Sequence, residues 1–72
     1  MLTIKWYTKS WRIDQVPGYR CFEIKEYELL TDTNKRLHMT TPDNTMEWAI
    51  GDGERVIIEN SSGKTIDIIH GA

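Results

Sequence analysis

Cys21, His38 and His70 are the single thiol and the two imidazoles of this chain. A cysteine becomes a nucleophile when a histidine and an orienting third group stand beside it, and a Cys/His set holds zinc when its ligands are closely spaced. Here the three stand singly along the sequence, so neither use is expected. Ser62-Gly63-Lys64-Thr65 ends like a phosphate-binding loop, but the required glycine five residues before Gly63 is replaced by Ile58. The residues after Thr65 read as a strand, so no helix is expected there to direct its N-terminus at a phosphate. Asp52 and Glu54, flanking Gly53, lack the alternating ligands of a twelve-residue calcium loop. The carboxylates Glu23, Glu26, Glu28, Asp43, Glu47 and Glu59 read as the solvated faces of strands. No enzyme activity, metal or cofactor is expected.

Residues 5–20 offer a different chemistry. They hold Trp6, Trp11, Tyr7 and Tyr19 together with Lys5, Lys9, Arg12 and Arg20, against one acid, Asp14. Aromatic faces interleaved with cations suit a flat anionic ligand, because rings stack on bases while cations neutralise phosphate. The same residues also suit a protein interface, where aromatics and arginine are enriched. Period two divides the segment. Leu2, Ile4 and Trp6 share one strand face and belong to the core, while Lys5, Tyr7, Lys9 and Trp11 share the other. The expected binding surface is therefore Lys5, Tyr7, Lys9, Trp11, Arg12 and Arg20.

Composition narrows the partners. The net charge is −2, with residues 1–20 net positive and residues 37–72 net negative. Overall acidity disfavours long duplex DNA, which needs a broad positive face. An unpaired cysteine fits a reducing compartment, and no apolar run reaches the length of a membrane span or a signal peptide. Cytoplasmic residence without membrane insertion is expected. At 72 residues one domain is the limit, and its core yields no more than about 3–5 kcal/mol of net stability. Self-association is the expected source of further stability.

The elements that must position these residues are short strands. Pro17-Gly18, Asp32-Thr33-Asn34, Pro42-Asp43-Asn44, Gly51-Asp52-Gly53 and Ser61-Ser62-Gly63 punctuate the chain at strand-length intervals. Residues 54–60 and 64–70 form a hairpin closed by Asn60-Ser61-Ser62-Gly63, with Gly63 at positive φ and a bulge. Val56 and Ile58 share one face, and Ile66, Ile68 and His70 share another. Ile57 and Ile69 place apolar groups on the opposite faces, a pattern expected of central or interface strands. Residues 45–50 alternate, with Met46, Trp48 and Ile50 in phase, and are expected to precede the hairpin in a three-stranded meander. Residues 37–41 add a short strand.

Residues 19–30 have no helical apolar face. As a strand they pair Phe22 with Ile24 and Tyr27 with Leu29 once a bulge near Lys25-Glu26 is allowed. The expected fold is all-β: a small curled antiparallel sheet or SH3-like barrel of five to six short strands in one domain, residues 1–72. The expected function is a non-enzymatic interaction module that binds a protein partner, itself or both through the aromatic-basic N-terminal face. An accessory or inhibitor role of a viral or mobile-element protein would suit a chain of this size. The competing expectation is a binder of a nucleotide or single-stranded nucleic acid, stacking on Trp11 and Tyr7.

Overall fold

The computed structural model describes residues 1–8 and 19–71, and every regular element among them is a strand. In chain order these are β1 (Leu2–Tyr7), β2 (Tyr19–Ile24), β3 (Glu26–Leu30), β4 (Arg36–Thr40), β5 (Thr45–Ala49), β6 (Arg55–Glu59) and β7 (Thr65–His70). They form a four-stranded sheet in the order β2-β1-β6-β7 and a three-stranded sheet in the order β3-β4-β5. Every pairing is antiparallel. Among the described residues no helix is long and apolar enough to cross a membrane.

Alternation in the sequence decides which side of each sheet is buried. Ile4 lies opposite Phe22 on one side and Ile58 on the other, and Trp6 lies opposite Val56, so one row of β1 meets the apolar rows of both neighbours. In the second sheet Leu37 lies opposite Leu29 and Trp48, and Met39 opposite Tyr27 and Met46. These two inner faces close on one core of Ile4, Trp6, Ile24, Leu37, Met39, Ile50, Val56, Ile58 and Ile69. Trp6 and Trp48 meet edge to face, with ring centroids 5.5 Å apart, and Phe22 meets Trp48 in the same way at 5.4 Å. Edge-to-face geometry sets the positive rim of one ring on the negative face of the other.

The all-β expectation holds, with differences in detail. Seven strands form because residues 19–30 break at Lys25, where the chain leaves the four-stranded sheet for the three-stranded one. The Lys25 backbone N–H donates to the Thr40 carbonyl at 2.7 Å and anchors the bend to β4. The meander expected over residues 45–70 does not form. β5 pairs with β4, since Met46 and Trp48 find apolar partners in Met39 and Leu37, while β6 pairs with β1. Gly51-Asp52-Gly53, with Gly53 at φ 81°, carries the chain from one sheet to the other. Of the two places expected for the hairpin strands, central or at an interface, β6 takes a central one, while β7 is an edge strand of its sheet.

The final hairpin closes as its residues require. Gly63 adopts φ 84°, and its N–H donates to the Asn60 carbonyl at 3.0 Å. The Asn60 side-chain oxygen accepts from the Ser62 and Lys64 backbone N–H groups, which fixes the turn. A register shift between Ile58 and Glu59 marks the bulge.

Candidate functional site

The outer face of the four-stranded sheet carries the described part of the expected surface. Period two on β1 turns Lys5 and Tyr7 outward, opposite the buried Ile4 and Trp6. Lys5 lies across from Ile57 of β6, which lies across from Ile68 of β7, and Tyr7 lies across from Arg55, which lies across from His70. The Lys5 ammonium pairs with the Glu59 carboxylate at 3.0 Å. The Arg55 guanidinium stands 4.9 Å from the centre of the Tyr7 ring, within cation–π range. Cations and ring are thus together, as expected, but each cation already has a partner on the same face.

Between these pairs the face is apolar. Ile57 is half-buried, while Ile66 and Ile68 are 48% and 51% exposed, unusual for two isoleucines on one strand. An apolar centre bracketed by charged groups is the anatomy of a protein interface. The exposed thiol of Cys21 lies on the same face, across from Lys5.

Arg20 belongs elsewhere. It lies across from Trp6 and so on the inner side of β2, where its guanidinium covers Trp48 at 5.5 Å from the ring centre. With Trp6, Thr8, Trp48, Ala49 and Glu54 it lines a groove of about 220 Å³ at one end of the core. The Glu54 carboxylate accepts from the Gly51 backbone N–H at 2.7 Å and from the Trp6 indole N–H at 3.4 Å. That pair of bonds spends one carboxylate oxygen on holding the turn and the indole. A second cleft of about 430 Å³ adjoins it through Thr8 and Glu54 and extends over Tyr7, Arg55 and His70. Lys9, Trp11 and Arg12 lie outside the described residues.

The second sheet presents an acidic face. Glu28, His38 and Glu47 stand side by side across β3, β4 and β5, and His38 Nδ1 is 3.8 Å from a Glu47 oxygen. Arg36 bridges Glu47 and Asp32, each at 2.8 Å. Among the described residues no three His, Cys, Asp or Glu side chains come together in a way that could hold a metal ion.

Ile66 and Ile68 are the residues that sequence reasoning left out of the site. Their signal was present, since hairpin strands apolar on both faces must expose one of them wherever a sheet covers only the other. No protein-family model, curated protein or solved structure matches the chain.

Proposed function

We propose that the protein is a non-catalytic interaction module, docking a protein partner or a second copy on the outer face of its four-stranded sheet. The observation that carries this reading is the exposure of Ile66 and Ile68 beside Ile57, between the Lys5–Glu59 and Tyr7–Arg55 pairs. Covering that apolar area returns about 25 cal/mol for each Å² removed from water. The rim supplies orientation. Its described cations, Lys5 and Arg55, are each engaged on the same face, which favours a protein surface over a polyphosphate, whose binding depends on unmatched cations.

A photoreactive amino acid placed at position 66 tests the reading, with position 43, in the turn between β4 and β5, as the control. Illumination in a lysate of the producing cells is expected to give discrete cross-linked bands, to itself or to other proteins, from position 66 alone. Equal labelling from both positions, or none from either, overturns it.

A further inference from the structure

We propose that the outer edge of β7 is a strand-addition site for a second copy of this chain, held closed in the single chain by Asp67 and Lys35. An edge strand presents a row of unpaired backbone groups, and which of them face outward follows from alternation. The Gly71 N–H donates to the Glu54 carbonyl beside β6, so residues 71, 69 and 67 turn their backbone groups inward and residues 68 and 70 turn theirs outward. Both outward residues carry a side-chain cap. The Ile68 N–H donates to Asp67 Oδ1 at 2.9 Å, and the His70 carbonyl accepts from Lys35 Nζ at 2.7 Å. Asp67 is itself steadied by Tyr27, whose hydroxyl donates to Oδ2 at 3.1 Å. Tyr27 belongs to the other sheet, and Lys35 to the turn that leads into its β4. Among the described residues no backbone hydrogen bond joins β7 to that sheet, and these polar contacts add to the packing of Ile69 in the shared core.

The edge is otherwise suited to pairing. β3 carries Glu26 and Glu28 and β2 carries Arg20 and Glu23, charges that discourage addition at those edges, while β5 sets its one acid, Glu47, in the middle of its exposed row. β7 carries only Asp67 among its acidic and strongly basic groups, and has no proline. Its exposed row is Ile66, Ile68 and His70.

Self-complementarity selects a second copy as the occupant. An antiparallel register centred on Ile68 sets Ile68 against Ile68, Ile66 against His70 and Asp67 against Ile69, so no like charges meet. Centring on Asp67 would oppose two carboxylates, and centring on Ile66 would shorten the overlap. The chosen register also continues the apolar row from Ile57 through Ile68 into the second copy. Covering about a tenth of each chain's 5045 Å² buries roughly 1,000 Å² in all, near the lower limit for a specific interface, so pairing is weak and reversible.

The inference rests on the proposed function in that the added strand extends the same face, but its test reads the backbone. In Asp67→Ala the Ile68 amide loses its cap. Hydrogen–deuterium exchange of that amide is expected to be fast in dilute protein and slowed at least tenfold at millimolar concentration, as light scattering reports a dimer. Asp67→Asn, which keeps an acceptor oxygen, is expected to behave as wild type. Lys35→Ala, which frees only the His70 carbonyl, is expected to shift association in the same direction by less, and decides the matter if Asp67→Ala does not fold. Concentration-independent exchange at Ile68 in Asp67→Ala, or in its place a dimer fraction of Lys35→Ala no higher than wild type by light scattering, overturns the inference. Cross-linking from position 66 would still stand in that case, so the two readings fail separately.

Discussion

The Tyr27 hydroxyl donates to Asp67 Oδ2 at 3.1 Å, a contact forty residues apart in sequence that ties β3 to β7. Three effects raise the Tyr27 phenol above its ordinary value: partial desolvation first, then the bond it donates to Asp67, then the negative charge of that carboxylate. All three favour the neutral phenol of the folded chain. Below about pH 10, the unfolded value, both states keep the proton and the contribution is fully present. As pH rises toward the raised folded value the unfolded chain ionises first, and stability falls. Thermal unfolding of wild type and Tyr27→Phe between pH 8 and 11 is expected to show a difference that narrows above about pH 10. A constant difference would mean that the phenol titrates alike in both states.

Ile58 is fully buried across from Ile4, also fully buried, at the centre of the larger sheet. Truncation to alanine removes apolar burial and leaves a cavity, at a cost of about 2–5 kcal/mol. For a domain of this size that matches the whole expected stability of about 3–5 kcal/mol. Ile58→Ala is therefore expected to be largely unfolded at 25 °C, and Ile58→Val to remain folded with a loss of about 0.5–1.5 kcal/mol. Urea titration followed by circular dichroism separates the two.

How much of this was legible in the sequence differs by residue. Period two is a local property, so the sequence alone puts Trp6 and Tyr7 on opposite faces of one strand, and the structure has them there. The bend at Lys25 was legible for the same reason, since only a phase slip brings Phe22, Ile24, Tyr27 and Leu29 to apolar sides. Partner choice was not. β5 and β6 follow one another across a glycine turn, and nothing local tells Trp48 to seek Leu37 across β4. That pairing depends on which inner faces match in three dimensions. Arg20 shows the same limit. Composition groups it with Lys5, but the register of β2 on β1 turns it inward onto Trp48.

Asp32 offers a second titration whose sign is opposite. Its carboxyl lies below the usual value because the Thr33 backbone N–H donates to it and, second, because the Arg36 guanidinium does. A lowered carboxylate contributes stability above the unfolded value of about 3.9, and loses it as pH falls through the folded value. Arg36→Ala removes the second cause and leaves the first. The Asp32 carboxyl resonance in that variant is expected to titrate closer to the ordinary value without reaching it. Unchanged titration would show that Arg36 binds Asp32 without favouring its charge, and full restoration would show that the Thr33 contact depends on Arg36.

Gly63 and Gly71 predict contrasting costs for the same substitution. At Gly63 an added Cβ has open space around it, and the cost comes from the left-handed backbone at φ 84°. That strain amounts to about 1–2 kcal/mol for a residue with a side chain. At Gly71 an added Cβ overlaps the Gly51 carbonyl oxygen, a backbone atom that cannot rotate away. One of the two segments must move, and the 2.8 Å bond from the Gly71 N–H to the Glu54 carbonyl moves with it. Glu54 also holds the Gly51 N–H and the Trp6 indole, so the disturbance reaches the core end of β1. Gly71→Ala is expected to lower the urea midpoint more than Gly63→Ala and to change Trp fluorescence in the folded state, which Gly63→Ala leaves alone. Equal midpoints with unchanged fluorescence would show that the backbone at Gly71 yields freely and that β6 holds its place without it.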